Sequence, residues 1–176
     1  MSGAAKKKAP ARAPFAREVW DSLSSYDVSA HVERKGRLKY LSWSWAYAVL
    51  MNHYPESVVE WTAWRSQEGA SPEGVRYLRD GTAEVECTVT VRDGDESIRR
   101  SICLPIMDNR NNAMGNPSAR DVNDARMRAM VKCIGLFGLG LNLYAGEDLP
   151  TNSTVTPIRV EPEPRREPEP SMAPEY

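Results

Sequence analysis

The apolar positions of this chain repeat every second residue in its middle part and with a helical period on either side. The clearest alternation runs from Val85 to Val91, where apolar residues are separated by Glu and Thr. This pattern is typical of a half-buried β-strand. Asp93-Gly94 follows and favours a two-residue hairpin turn, so the segment containing Ile98 to Ile106 is expected to pair antiparallel with the strand. A weaker alternation from Val59 to Ala63 predicts a third strand.

Helical patterns flank these strands. Residues 19–23 predict a short amphipathic helix, and Ser42 is a candidate N-cap for a second helix that runs to about His53. A third, longer helix is predicted from about Ser118 to Phe137, because two glycines that can end a helix follow it. The order of elements is therefore helix, strands, helix.

The third helix has two different faces when its residues are placed about 100° apart around the axis. The apolar face carries Val122, Met130, Cys133, Ile134 and Phe137. The opposite face carries Asp121, Asp124, Arg128 and Lys132. We expect the first face to pack on the sheet and the second to be free. The fold class predicted is α+β, with an antiparallel β-meander packed against a long helix.

Both ends of the chain differ in composition from its middle. Residues 1–17 contain five basic residues and no acid, which predicts a basic disordered arm; a solvated arm, a phosphate contact and an organellar transit peptide are the alternatives. Residues 151–176 are rich in Pro and Glu and are expected to be disordered. Residues 18–150 then form one domain, whose slight excess of acids means that nucleic-acid binding would need a local basic groove.

The cysteines and the absence of long apolar runs bear on location. Cys87, Cys103 and Cys133 are odd in number, far apart and set in apolar patterns, which indicates reduced core thiols. No run of about eighteen apolar residues is present, so no membrane partner is expected. A cytoplasmic location follows as an expectation.

Cations on the third helix are the first candidate binding residues. Arg128 and Lys132 lie one turn apart and could meet successive phosphates of a nucleic-acid strand. The competing interpretation is an ordinary solvated face, in which Asp124 pairs with Arg128 four residues later. Arg126 falls near the apolar side, which suggests an ion pair at a subunit interface.

Aromatic residues and a second group of arginines complete the candidates. Trp43 and Tyr47 belong to a dense aromatic segment and point away from the predicted core face of the second helix, so unpaired bases could stack on them; core packing is the alternative for most of the segment's aromatics. Arg92, Arg99 and Arg100 cluster around the predicted hairpin, where a β-ribbon could present them to a DNA backbone.

Other kinds of site find little support in the sequence. The histidines and cysteines include no close pair of the kind that zinc modules use, and no nucleophilic serine motif is present. We therefore expect no metal, no cofactor and no enzymatic activity. The enzymatic alternative is a magnesium-dependent nuclease that uses carboxylates such as Asp108 and Asp121, although their spacing matches no known ligand pattern.

Three separate segments carry a resemblance to a known family. They are Tyr40-Leu-Ser-Trp-Ser-Trp-Ala46, Leu104-Pro-Ile-Met-Asp108, and Val131-Lys-Cys-Ile-Gly-Leu-Phe-Gly-Leu-Gly-Leu141 continued by Tyr144-Ala-Gly-Glu-Asp148. Together they resemble a phage and prophage family of single-strand annealing proteins, a distant branch of the Rad-fifty-two-like superfamily. The resemblance implies a strongly bent antiparallel sheet on a long helix, subunits joined into rings or helical filaments, and a DNA strand held in a groove with its bases exposed.

The resemblance also implies a function and one particular site residue. Lys132 matches a groove position on the helix that precedes the Phe137-Gly138 turn. The expected function is ATP-independent annealing of complementary single strands in phage-type homologous recombination, in the cytoplasm of a bacterial host. A phage exonuclease or a single-stranded DNA-binding protein is an expected partner. The alternative is a protein that binds single-stranded DNA to protect it or to recruit a partner without annealing it.

Overall fold

The computed structural model describes residues 14–35, 38–66, 69–70 and 74–144. The helices are α1 (Phe15–Ser24), α2 (Trp43–His53) and α3 (Ala119–Gly135), with 3-10 turns at Ser29–His31 and Leu141–Tyr144. The strands are β1 (Val32–Lys35), β2 (Leu38–Leu41), β3 (Val58–Trp61), β4 (Arg65–Ser66), β5 (Gly69–Ala70), β6 (Val75–Tyr77), β7 (Ala83–Asp93) and β8 (Glu96–Pro105). The α+β class and the antiparallel sheet are as predicted.

Strand β7 is the centre of the main sheet. It pairs antiparallel with β8 from Glu84 opposite Pro105 to Asp93 opposite Glu96, which confirms the predicted hairpin. The two turn residues are Gly94 and Asp95, one position later than the predicted Asp93-Gly94. Its other side is shared by β3 and β6, both antiparallel to it. Strands β1 and β2 form a separate antiparallel hairpin, and β4 pairs with β5.

The main core lies between β7 and α3. The four alternating apolar residues of β7 are fully buried, and they face the apolar side of α3. The buried residues of these two faces are Val85, Cys87, Val89, Val91, Met130, Cys133, Ile134 and Phe137. Burying one Val, Leu, Ile or Phe side chain stabilises the folded state by roughly 1.5–3 kcal/mol relative to exposure. This interface is therefore a large contribution to the stability of the domain.

The opposite face of β7 differs from a simple solvated face. Thr88 and Thr90 are buried because neighbouring strands flank them on both sides, and the Thr88 hydroxyl hydrogen-bonds the Ser101 hydroxyl at 2.7 Å. Cys103 lies on this same face, since it is opposite Glu86 across the strands, and it is exposed. The expectation that all three cysteines lie in the core was wrong for Cys103.

Helix α1 begins earlier than the sequence analysis placed it. Phe15, Val19 and Leu23 form its buried side, whereas Trp20 is 37% exposed. Because the helix starts at Phe15, residues 15–17 belong to it and not to the predicted basic arm. Residues 1–13 of that arm lie outside the described residues.

Helix α3 begins and ends at specific local contacts. Ser118 and Asp121 form a reciprocal capping box, with the Ser118 hydroxyl accepting from the Asp121 backbone N–H and the Asp121 carboxylate accepting from the Ser118 backbone N–H. After the helix, Gly138 has φ 116° and Gly140 has φ 62°, values that favour glycine. The predicted glycine end of the helix is confirmed.

The predicted disordered tail, residues 151–176, lies outside the described residues. Within the described ranges, none of the helices combines the length and the apolar character needed to cross a membrane.

Candidate functional site

A pocket of about 340 Å³ opens between the β1–β2 hairpin, the start of α2, the second half of α3 and the last 3-10 turn. This volume lies within the range of roughly 300–1,000 Å³ that is usual for ligand pockets. The lining residues are Glu33, Tyr40, Leu41, Ser42, Trp43, Ser44, Met127, Arg128, Val131, Lys132 and Tyr144. Two cationic residues, three aromatic residues and two serines therefore converge on one space.

Lys132 lies in a different environment from the one predicted. The helical period placed it on a free face, but its residue is only 7% exposed, and its Nζ lies 5.6 Å from the centre of the Tyr144 ring. The charged face of α3 is covered at this end by residues of the pocket wall. Lys132 consequently points a cation into a partly enclosed space, where electrostatic attraction is stronger than in bulk water.

Arg128 lies one turn before Lys132 and is half-buried. Its guanidinium lies 5.7 Å from the centre of the Tyr40 ring, and its Nη2 donates a hydrogen bond to the Asn111 side-chain oxygen at 3.4 Å. Among the described residues it forms no ion pair with Asp124, so the interpretation as a solvated Asp–Arg pair was wrong. The arginine is instead held at the pocket by an aromatic ring and an amide.

The loop that carries Asn111 is organised around Asp108. One carboxylate oxygen of Asp108 accepts from the backbone N–H groups of Arg110 and Asn112, and the other accepts from the Asn112 side chain at 3.0 Å. The hydrogen bond from the Asn112 side chain is the main cause that lowers the pKa of Asp108, followed by those from the backbone. Asn111 adopts φ 62°, which aims its side chain at Arg128. Asp108 therefore shapes a loop that reaches the pocket.

The aromatic prediction for α2 is confirmed in its geometry. Trp43 is 50% exposed at the pocket and Tyr47, one turn further along, is 38% exposed. Trp45 instead packs inward, with its ring stacked on His31 at 4.2 Å between centres. Ser42 occupies the N-cap position, but its hydroxyl pairs with the Ser44 hydroxyl at 3.1 Å and does not cap the helix. Both hydroxyls thus remain part of the pocket lining.

Tyr144 reaches the pocket because Gly135 has no side chain. A Cβ at Gly135 would lie 3.3 Å from the Tyr144 Cε2, closer than most such contacts. The last glycine of α3 therefore lets the ring pack directly over the helix backbone. From that position Tyr144 lies near the Lys132 ammonium.

Arg126 lies away from this pocket. Its guanidinium lies 6.0 Å from the Trp61 ring centre, and its buried Nε has no hydrogen-bond partner among the described residues. Within the same residues it pairs with no carboxylate, and the ion pair expected for it at a subunit interface stays a prediction.

The three hairpin arginines do not share a surface. Arg92 and Arg99 lie on the sheet face that points away from α3, together with Thr90. Arg100 lies on the opposite face, with its guanidinium 5.3 Å from the Phe137 ring. The three arginines therefore lie around the hairpin as predicted, but on two different faces, and none of the three lines the pocket. A DNA contact at any of them stays a prediction.

The carboxylates considered for a metal site have local structural roles. Asp108 organises its loop, and Asp121 belongs to the capping box, whose hydrogen bonds from Ser118 lower the pKa of Asp121. In the part of the chain that the structure describes, no group of three or more His, Cys, Asp or Glu residues is arranged to hold a metal ion.

Two of the three segments that carry the family resemblance line the pocket, and the second lies beside it. The first segment supplies Tyr40 and Trp43, and the third supplies Lys132, with Tyr144 in its continuation. Asp108, at the end of the second segment, organises the loop whose Asn111 accepts a hydrogen bond from Arg128. Sequence reasoning identified Arg128, Lys132 and Trp43 but missed Tyr40, Tyr144 and Asn111. The signal that could have found the two tyrosines was their place inside these segments.

Comparison with known proteins identifies the family of this chain. A family model described as Sak Single Strand Annealing Protein matches residues 18–173, which is more than half of the chain. Neither the curated proteins nor the solved structures contain a significant match.

Proposed function

Because the chain belongs to the Sak family of single-strand annealing proteins, we propose that it holds single-stranded DNA at the pocket and promotes annealing of complementary strands without a nucleotide cofactor. We place this activity in phage-type recombination in a bacterial host. The residues proposed to bind DNA are Arg128, Lys132, Trp43 and Tyr47.

The observation that carries the proposal is the meeting of cations and aromatic rings in one pocket. When cationic side chains bind phosphates, the counterions condensed on the strand are released, and this release favours binding. Aromatic faces stack on unpaired bases of any sequence. Arg128 and Lys132 supply the first contact, and Trp43 supplies the second. A duplex keeps its bases stacked inside, so this combination favours a single strand.

Annealing needs no bond to be made or broken by the protein. A strand that is held by its backbone keeps most of its pairing edges free and loses conformational freedom before its complement arrives. No residue then has to act as an acid, base or nucleophile. Several subunits side by side would hold a longer stretch of strand in this way, so we propose that the active form is a homo-oligomer, a ring or a helical filament.

The remaining arginines would act elsewhere if they contact DNA. Arg92 and Arg99 lie on the open face of the sheet, and Arg100 and Arg126 lie beside aromatic rings outside the pocket. A strand contact at any of them would belong to a separate surface, suited to an accessory role.

The test is a stopped-flow annealing assay with two complementary labelled oligonucleotides, run without nucleotide and with light scattering on the same sample. We expect an oligomer that accelerates annealing, and no signal with two non-complementary strands. Tight binding without acceleration would replace the proposal by protection of the strand or recruitment of an exonuclease or a single-stranded DNA-binding protein. Absence of strand binding would refute it.

A further inference from the structure

We infer that the pocket receives one whole nucleotide, with its base, and so withdraws one base per subunit from pairing. This inference rests on the proposed function and adds to it the ligand of the pocket. Three observations support it: the apolar composition of the pocket wall, the exposed ring of Trp43, and the presence of Glu33 among the lining residues.

The wall contains more apolar surface than a phosphate can use. Six of the eleven lining residues are aliphatic or aromatic: Tyr40, Leu41, Trp43, Met127, Val131 and Tyr144. Apolar surface contributes to binding when it is removed from water against another apolar surface. A phosphate provides none, whereas a base provides two flat faces. The wall therefore fits a base together with its phosphate.

Trp43 is the ring best placed to receive that base. It lines the pocket with half of its surface exposed, and among the described residues it makes no ring contact. Tyr40 and Tyr144, in contrast, already have the Arg128 and Lys132 cations near their faces. The two cations are thus fixed beside the pocket for the phosphate, while Trp43 remains open for stacking.

Glu33 argues against a phosphate as the sole occupant. Its carboxylate lines the same pocket as the two cations and would repel a phosphate placed near it. A carboxylate does, however, accept hydrogen bonds from the N–H groups on the edges of bases, which are amino groups in most bases and the ring N–H in thymine. The two cations of the pocket therefore suit the phosphate of a nucleotide, and the Glu33 carboxylate suits its base.

The spacing of Trp43 and Tyr47 constrains the distance between two bases that stack on them. Trp43 and Tyr47 are four residues apart on α2, which separates them by about 6 Å along the helix axis. Neighbouring bases in a duplex strand are about 3.4 Å apart along the axis. Bases on both rings would therefore be pulled out of their mutual stack, and the base in the pocket must leave before the complement can close over it.

The test compares two oligonucleotides of equal length, one of thymidines and one of abasic deoxyribose phosphates, which have the same charge. Wild type should bind the abasic strand at least about fivefold more weakly, since stacking of one base contributes roughly 1–3 kcal/mol. Trp43→Ala should remove this difference, and Trp43→Phe should keep most of it. Tyr77→Ala, at an aromatic residue that is 53% exposed outside the pocket, should behave as wild type.

A second readout uses a thymidine strand with a single 2-aminopurine. Its fluorescence should change on binding to wild type and to Tyr77→Ala, but not on binding to Trp43→Ala. Equal affinity of wild type for the two strands, with salt-dependent binding, would overturn the inference and leave the proposed function intact. Failure to bind either strand would overturn both.

Discussion

At the scale of single residues, Lys132 shows what a helical period can and cannot predict. The period correctly identified the side of α3 that packs on the sheet, because that side is defined by its own apolar residues. It gave the wrong environment for the opposite side, because the residues that cover Lys132 come from the β1–β2 hairpin, α2 and the last turn. Burial by distant segments leaves no trace in the local pattern.

The first prediction concerns that lysine. Lys132→Met keeps most of the side-chain length but removes the charge, so we expect binding to single-stranded DNA to weaken roughly tenfold or more, in line with the 1.5–3 kcal/mol of a charged contact. The slope of log affinity against log salt should become shallower by about 0.7. Arg120→Met, an exposed cation on the first turn of the same helix, is the control and should leave the slope unchanged. An unaltered slope in Lys132→Met would remove this residue from the site.

The second prediction tests whether Asn111 positions Arg128. Asn111→Gly keeps the positive φ but removes the amide, and we expect between about two- and tenfold weaker strand binding. In an Arg128→Ala background the same change should have almost no effect, because its partner is gone. Asn116→Gly is the control, since Asn116 has φ 49° and, among the described residues, makes no hydrogen bond to a cation. Equal losses in both backgrounds would mean that Asn111 acts independently of Arg128.

At the scale of elements, the long patterns were predictable, and among the short strands only β3 was predicted from its alternation. The β7–β8 hairpin and α3 each show a pattern over ten or more residues, and both formed as expected. Strands β1 and β2 have four residues each, and β1 reads Val-Glu-Arg-Lys with a single apolar position. A segment this short and polar has no period to detect, yet its hairpin supplies one wall of the pocket.

The third prediction concerns the glycine turn after α3. A Cβ at Gly138 would lie 3.0 Å from the Ser24 Cβ and 3.1 Å from the Ser24 backbone nitrogen, so the turn touches α1 directly. Gly138→Ala should destabilise the domain by backbone strain of about 1–2 kcal/mol and by roughly 1–3 kcal/mol of overpacking. Gly81→Ala also has a positive φ but meets nothing within 4 Å, so it should show the strain alone. Thermal unfolding of both variants measures the difference, and equal losses would exclude the α1 contact as a cause.

The fourth prediction concerns acid and the start of α3. Hydrogen bonds from Ser118 lower the pKa of Asp121 in the folded state. The ionised carboxylate therefore stabilises the folded state at pH values above its pKa in the unfolded chain, and this stabilisation is lost as the pH falls through its pKa in the folded state. The melting temperature should therefore decrease as the pH is lowered below about 4. Asp121→Asn should lose part of this dependence and be less stable at neutral pH. Identical acid profiles for the two proteins would argue against the capping box as a source of it.

At the scale of the whole molecule, the site is a product of chain topology. Tyr40, Arg128 and Tyr144 are far apart in sequence and meet only because α3 packs against the sheet and α2, while the Leu141–Tyr144 turn that follows it packs against β2. The sequence therefore allowed the family and the cationic helix to be predicted, but not the pocket. The formal net charge of the chain is −1, so its overall charge does not attract DNA. Attraction of DNA therefore depends on where the cations lie and not on their total number.

The positions of the three thiols have a practical use. Cys103 is exposed on the sheet face away from α3, whereas Cys87 and Cys133 are buried between β7 and α3. A maleimide dye should attach to one thiol of the native protein, on the side remote from the pocket. Partial burial, with Glu84 and Glu86 nearby, raises the pKa of Cys103, so labelling should be faster at mildly alkaline pH. The wild-type chain thus has a natural labelling site at Cys103. The slower rate at which Cys87 and Cys133 react would measure how often the core between β7 and α3 opens.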